Sequence, residues 1–532
     1  MPRTLIHGGA LYSQGNPGAT SMIINDGRVA WIGDRVSAIS FVGDVDRVVD
    51  LGDAFIAPGF VDAHVHLSST GLFARGLDLV GVTSAQEALA LLAKYAQGSS
   101  DAIIMGHGWD DTDWRDREMW NASSAHNAAG QRTFYLTRID VHSALVSSDL
   151  LKEVSATING YSETGLLSQE SHHEVRDIVL GKLSSPQRRA AISAALSDMA
   201  AHGIVSVHEN AGPHVSGEAD FLDVLAATQA DNIPEIFAYW GDINLARVNE
   251  LGAFGAAGDL NVDGSCGSRT ALMLTHYNDG ETLGAEYMDA NDVAEHLIAC
   301  TRAGFQGGFH AIGDGAMENI NSGLKKAMEV LGRDAVRRSR HRIEHAELMT
   351  ADQLDCYVDA GVVLSMQPVF DELWGGESGM YETRLGRDRM KKMNPFAEVV
   401  RRGIPLAFGS DTPVTPVDPW RAVRAATLHH TEEHRISARA AFAAHTRGGW
   451  RAVGDDESGV LAVGAPAHFA AWDVDDLVVN VPDGRVRAWS TDERSGTPGL
   501  PDLDGVPPKC LLTVRNGVAL FDRESLWSAS AS

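Results

Sequence analysis

Two histidines one residue apart, His64 and His66, close the apolar run FVDAHVHL. On a β-strand residues i and i+2 project to the same side, so two imidazoles placed this way can bind one metal ion. Three other segments end in groups of the same chemistry. GGFHAIGDGAM carries His310 at the close of a Gly-rich apolar run, and RHRIEHAEL sets His341 and His345 on one face of a predicted strand, His345 nearer its C-terminal end. IPLAFGSDTPV brings Asp411 after a small-residue turn. Imidazole and carboxylate donors together suit a borderline-soft cation such as Zn2+, and Fe2+ or Mn2+ accepts the same set. Such a cation brings the pKa of water down to about 7 and polarises a carbonyl, which is the chemistry of hydrolysis. Taken singly, each histidine has an ordinary alternative as a hydrogen-bonded core residue, and Asp411 has one as a helix N-cap before Pro413. Asp314 either orients His310 from behind or caps the helix that follows.

Bringing these groups together takes a scaffold in which several strands end at one place, as the strands of a (β/α)8 barrel do. Past residue 190 the chain alternates helical patterns with short apolar runs: AAISAALSDMAAHG before IVSVHE, DVAEHLIACTRAG before FQGGFHAIGD, ADQLDCYVDAG before VVLSMQPVF, and NPFAEVVRRG before IPLAFGSD. A glycine ends each helix just ahead of its strand. The repeat predicts an α/β fold, a (β/α)8 TIM barrel over residues 58–455 whose first strand follows Pro58-Gly59. Periodicity alone does not separate a closed barrel from an open sheet.

Residues 1–57 show short alternating runs with a turn at Asn25-Asp26-Gly27, and residues 456–532 return to short β runs, HFAAWDVDDL and KCLLTVRNGVALFD. The two ends are expected to pair as one small composite β-sandwich domain, with a separate C-terminal domain as the alternative. Between about residues 69 and 189 the sequence is polar, Trp-rich and irregular. It reads as an insertion subdomain, either building a substrate cavity or decorating the surface.

The chain of 532 residues has 44 Lys plus Arg against 71 Asp plus Glu, a formal charge of -27 that would repel nucleic acid and anionic membrane surfaces. Four cysteines, Cys266, Cys300, Cys356 and Cys510, show no CxxC pairing, which speaks against a disulfide framework and a structural zinc cluster and for a reducing cytoplasm. No apolar stretch is long enough for a signal sequence or a membrane span.

PGFVDAHVHL, GWDDTDW, RIDVHSAL, TGLL, DGSCGSRTA, HAIGDGAM, HRIEHAEL, QPVF and GSDTPVTPVDPW, in this order, resemble the metal-dependent amidohydrolase superfamily. More closely they resemble amidohydrolase family 3, the YtcJ-like branch that includes N-substituted formamide deformylase. The resemblance runs over most of the chain. It implies that His64, His66, His310, His345 and Asp411 surround a metal, that zinc is the ion, and that Asp411 carries the proton from water to a departing nitrogen. His345 or His341 would bind the developing oxyanion. Trp109, Asp110, Trp114, Arg138, His142, Arg269, His341 and Gln367 would face a small-molecule substrate.

One departure stands out. Much of that family has a lysine four residues before the Asp-Gly of the fourth strand's motif, where its carboxylated form bridges two metals, and GDLNVDGSCGSRT has Asp259 there. An aspartate is too short to span two ions at that place without backbone movement. A single ion is therefore expected, with Glu209, His208 or Asp263 as the candidates if a second is held. The implied reaction is hydrolysis of an amide, formamide or related C–N bond. Deamination, ester or carbamate cleavage, or isomerisation is the alternative on the same ligands, and a non-catalytic binding scaffold is the alternative of another class. A homodimer is compatible with the resemblance, although no stretch identifies an interface.

Overall fold

Six consecutive buried residues, Phe60–Val65, form the strand that delivers His64. Apolar runs of this kind suit a parallel sheet covered on both faces. The strand pairs in parallel with Ile204–Ala211, which pairs in parallel with Glu235–Trp240. A second parallel sheet holds Gly308–Ala311, Arg342–His345, Val363–Met366 and Leu406–Phe408 in chain order. The computed structural model giving this arrangement describes residues 2–478 and 498–529, so 479–497 and 530–532 of the C-terminal expectation lie outside the described residues.

Helices alternate with these strands. Ala290–Ala303, Ala351–Ala360 and Phe396–Arg402 each end at a glycine in the left-handed region, Gly304, Gly361 and Gly403. A side chain at those positions would be strained, which is why the helices stop there and the chain turns into a strand. The result is an α/β core in which apolar faces of strands and helices share one hydrophobic cluster.

The two sheets meet at their edges through single-residue parallel bridges. Val65 bridges Thr412, and Tyr239–Gly255 and Ala256–Gly307 join the opposite edges. Backbone hydrogen bonds from His66 N to Thr412 O (3.0 Å) and from Asp411 N to His64 O (2.8 Å) reinforce the first junction. At the second, the chain consists of small residues and forms bridges in place of a continuous ladder. Gly258 has φ +92°, and a Cβ there would meet the Asn210 side chain at 2.9 Å. Only glycine fits, and the backbone turns there immediately before Asp259.

Strands from the two ends of the chain pair with one another. Phe469–Asp473 lies between Phe55–Pro58 and Lys509–Arg515, with Val518–Asp522 beyond. A neighbouring sheet holds Thr4–His7, Ser21–Asn25, Arg28–Gly33 and Arg47–Asp50. Residues of both sheets, among them Ile6, Met22, Ile56, Phe469 and Leu512, fill one shared core. The hairpin turn puts Asp26 and Gly27 at positive φ, the conformation that an Asp-Gly pair tolerates.

The inserted stretch is more regular than its composition suggests. Leu77–Asp78, Ile104–Trp109, Phe134–Arg138, Ser143–Val146 and Leu166–Ser168 form a five-stranded sheet, its first three strands parallel and the rest antiparallel. Trp109, Trp114 and Trp120 pack against one another inside it. The tryptophans that made the segment look irregular are the apolar filling of a separate small core. No helix among the described residues is long and apolar enough to cross a membrane, and the four cysteines are buried and unpaired.

Candidate functional site

His64 sits in the last turn of its strand, fully buried, with Nδ1 2.9 Å from Glu344 Oε2. An imidazole that donates from Nδ1 to a carboxylate presents its Nε2 lone pair on the other side. That Nε2 is buried without a hydrogen-bond partner and lies 3.3 Å from Asp411 Oδ1 and 3.4 Å from Asp259 Oδ1. His66, where the strand gives way to the helix Leu67–Phe73, turns Nε2 to the same carboxylates, 3.2 Å from Asp411 Oδ1 and 3.4 Å from Asp259 Oδ2.

The other two histidines close the cluster. His345 accepts a left-handed backbone, φ 69°, and its Nδ1 is 2.8 Å from the Gln367 amide oxygen. Its ring centre stands 4.9 Å from that of His64 and 4.5 Å from that of His310. Asp263 Oδ1 lies 3.6 Å from His310 Nδ1. That carboxylate is itself fixed by the backbone N–H groups of Leu272, Ile312 and Gly313 at 2.8–3.0 Å. Asp411 also adopts positive φ, 55°, which Asp tolerates better than most residues.

Burial and charge explain the protonation pattern. Burial pushes the Asp411 carboxyl up to about 7, Asp259 adding to the rise while His64 and His310 oppose it. Burial would raise Glu344 as well, yet the Arg342 guanidinium and His64 hold it down at about 2. His345 falls well below the ordinary imidazole value through burial and through the neighbouring His310 and His64. Burial works against protonated His64, but Asp411, Asp259 and Glu344 together raise it.

Donor atoms 3.2–3.4 Å apart match the edge of a tetrahedron built on bonds of about 2.0–2.1 Å to a zinc-like cation. His64, His345 and Asp411 form one group able to hold an ion, and His64, His66 and Asp259 form a second that shares His64. Two carboxylates facing imidazole nitrogens, with His64 Nε2 and Asp259 Oδ1 buried and unpaired, make a donor set that a divalent cation would complete.

The cluster opens into a cavity lined by His66, His142, Arg176, Asp259, His310, His345 and Asp411 together with Phe73, Tyr135, Leu180 and Val215. Of the residues expected to face substrate, only His142 lines it, its ring centre 5.1 Å from that of His310. The others are not among its lining residues. Trp109 and Trp114 donate to Leu136 O and Val82 O from within the inserted core. Arg138 is buried against Asp140 at 2.9 Å and against Asp110. Arg269 pairs with Asp279 at 2.7 Å. Gln367 touches His345 and so orients a ring. His341 directly precedes its strand, bonded to Thr301 Oγ1 (2.8 Å) and accepting from Gly307 N (2.9 Å); it lies four positions before His345, about 13 Å along the strand.

Several contributors escaped the sequence reading. Asp259 does reach the cluster, with both oxygens directed to the histidines of the first strand, because Gly258 turns the backbone toward Asn210. Glu344 had a usable signal: Arg342 and Glu344 are i and i+2 on one strand and so share a face. Asp263, rather than Asp314, lies behind His310; Asp314 accepts from Leu274 N at 2.8 Å and begins the helix Asp314–Leu331. Of the groups considered for a second ion, Glu209 accepts from Leu67 N, His208 contacts Arg342, and Asp263 holds three backbone N–H groups.

The chain is similar to known proteins over most of its length. The amidohydrolase family model matches residues 47–521. Protein LONG AFTER FAR-RED 3 of Arabidopsis thaliana is 28% identical, the match covering 88% of each chain. Putative amidohydrolase YtcJ of Bacillus subtilis is 24% identical over 81% of this chain and 85% of its own. The crystal structure of an uncharacterized metal-dependent hydrolase from Pyrococcus furiosus superposes with a TM-score of 0.70 at 25% identity, covering 89% of this chain and 99% of that one. With a family match this extensive falling on strands that bring histidines and aspartates to one cluster, the chain belongs to the amidohydrolase family, a group of metal-dependent hydrolases.

Proposed function

We propose that this protein hydrolyses a C–N bond of amide or formamide type in a small molecule, using one divalent cation, zinc by ligand type. The observation that carries the reading is the convergence of His64 Nε2, His66 Nε2, Asp259 and Asp411 at 3.2–3.4 Å, two of those atoms buried with no partner. His64, His66, Asp259 and Asp411 would hold the ion, with His345 and His310 completing its surroundings. When bound, a cation of this kind acidifies water and polarises a carbonyl. We also infer that the edge bridges close the two parallel sheets into the (β/α)8 barrel, with the cluster at the C-terminal strand ends.

The chain's own groups supply the rest of the reaction. Asp411 accepts the proton from the attacking water and returns it to the departing nitrogen, a role for which a carboxylate kept ionised beside the cation is suited. Glu344 holds His64 in the tautomer that faces the cluster, and Asp263, 3.6 Å from His310 Nδ1, sets a negative charge behind that ring. Phe73, Tyr135, Leu180 and Val215 seat an apolar part of the substrate.

The test combines elemental analysis with a panel of N-formyl, N-acyl, cyclic-amide and ester compounds. One equivalent of zinc per chain, with amide hydrolysis lost both on chelation and in Asp411→Asn, is expected. A properly folded protein that binds no divalent ion, or that cleaves only esters, overturns the reading.

A further inference from the structure

One wall of the cavity carries an arginine for which the structure shows no partner. Arg176 lies on the helix Gln169–Gly181, at the edge of the inserted unit. It is half-buried, and its Nε is buried without a hydrogen bond. It is also the only Lys or Arg among the residues lining the cavity. Other arginines near the site behave differently: Arg138 pairs with Asp110 and Asp140, Arg342 with Glu344, and Arg384 with Asp279.

A partly desolvated guanidinium short of acceptors is costly, and a planar carboxylate relieves it through two parallel hydrogen bonds. The acidic groups lining the cavity cannot take that part. Asp140 is held by Arg138, Ser265 and Ser268, and Asp259 and Asp411 belong to the cluster. That leaves Arg176, with its Nε buried and unbonded, as the cationic side chain of this cavity wall open to an anion. Phe73, Tyr135, Leu180 and Val215 line the same cavity and suit an apolar body attached to that anion.

We propose that the substrate is an amide that also bears a carboxylate, an N-acyl or N-formyl amino acid in kind, and that Arg176 binds the carboxylate while the C–N bond lies at the histidine–aspartate cluster. A lone guanidinium matches a singly charged carboxylate better than a phosphate dianion, which would call for further donors. This inference rests on the hydrolase reading above, and its test separates the two.

The purified, metal-loaded protein is assayed on N-formyl-phenylalanine and on N-formyl-phenethylamine, which lacks the carboxylate. One charge-assisted contact predicts a kcat/KM ratio of about tenfold or more in favour of the acid. Arg176→Gln should collapse that ratio chiefly through KM, and Arg176→Lys should restore part of it. In parallel, calorimetry compares 3-phenylpropionate with 3-phenylpropionamide on wild type and on Arg176→Gln. Carboxylate preference in binding that disappears in Arg176→Gln supports the anion seat even if neither formamide is cleaved, in which case it is the hydrolase reading that fails. Equal binding of acid and amide by wild type, or a preference that persists in Arg176→Gln, overturns the proposal whatever the hydrolysis assays give.

Discussion

Glu344 Oε2 lies 2.9 Å from His64 Nδ1, and the same oxygen accepts from Arg342 Nη2 at 2.9 Å. The orientation of a cluster histidine thus depends on a buried ion pair that touches neither substrate nor solvent. The same Nη2 also donates to Ala63 O at 2.7 Å, so the strand Phe60–Val65 and the strand carrying His345 are joined by one charge network.

Replacing Glu344 by Gln should separate two effects. Loss of the carboxylate behind His64 lowers cation affinity by about 10–100-fold, measured by competition with a chromogenic chelator. Leaving Arg342 as an uncompensated buried charge costs about 3–5 kcal/mol in urea denaturation. Arg342→Met added to Glu344→Gln should recover stability but not affinity. Recovery of both would mean that the pair only supports the fold.

Asp259 is expected to act as a ligand to one ion and not as a bridge between two. Asp259→Ala should weaken zinc binding by tenfold or more, about 1.4 kcal/mol per decade, while the protein melts cooperatively. Wild type should titrate to one zinc per chain. A second tight equivalent would show that the aspartate spans two ions after all.

A pH-dependent contribution to stability comes from outside the cluster. Burial pushes the Asp220 carboxyl up to about 6, next to Ser68 and 4.0 Å from Arg188. The unfolded chain loses this proton first, at an ordinary value of about 4, so the native state binds more protons between the two values. Stability should therefore fall as pH climbs from about 4 to about 6. Asp220→Asn removes that limb, so its melting temperature relative to wild type should rise over the same interval and then level off. A difference that stays flat from pH 4 to 7 would contradict the assignment.

His341 should matter to the fold and not to turnover. Both ring nitrogens are engaged, by Thr301 Oγ1 and Gly307 N. His341→Ala leaves those groups short of a partner and should cost about 1–3 kcal/mol, with KM and kcat per folded molecule unchanged. A KM increase at constant stability would bring His341 back to the substrate.

The sequence and the structure part company in an instructive way. His64, His66, His310, His345 and Asp411 could be singled out because each ends an apolar run, while their belonging to one site came from the family resemblance. Asp259 was not, since its direction depends on Gly258 packing against Asn210, a tertiary contact that no local pattern carries. The helix–glycine–strand rhythm told of an α/β core, and its glycines do cap the helices. In the insertion the tryptophans misled, because an aromatic that fills a small core and one that grips a ligand have the same composition. Only the hydrogen bonds of their indoles, which end on backbone carbonyls, tell them apart.

The inserted sheet has a hydrophobic interior of its own, yet it sends Tyr135 and, from the loops and helix beside it, His142 and Arg176 to the cavity wall. On the reading proposed above, recognition and reaction are drawn from different parts of the polypeptide. Grafting residues 69–189 from a relative would be a way to change what is recognised while the histidine–aspartate cluster stays as it is.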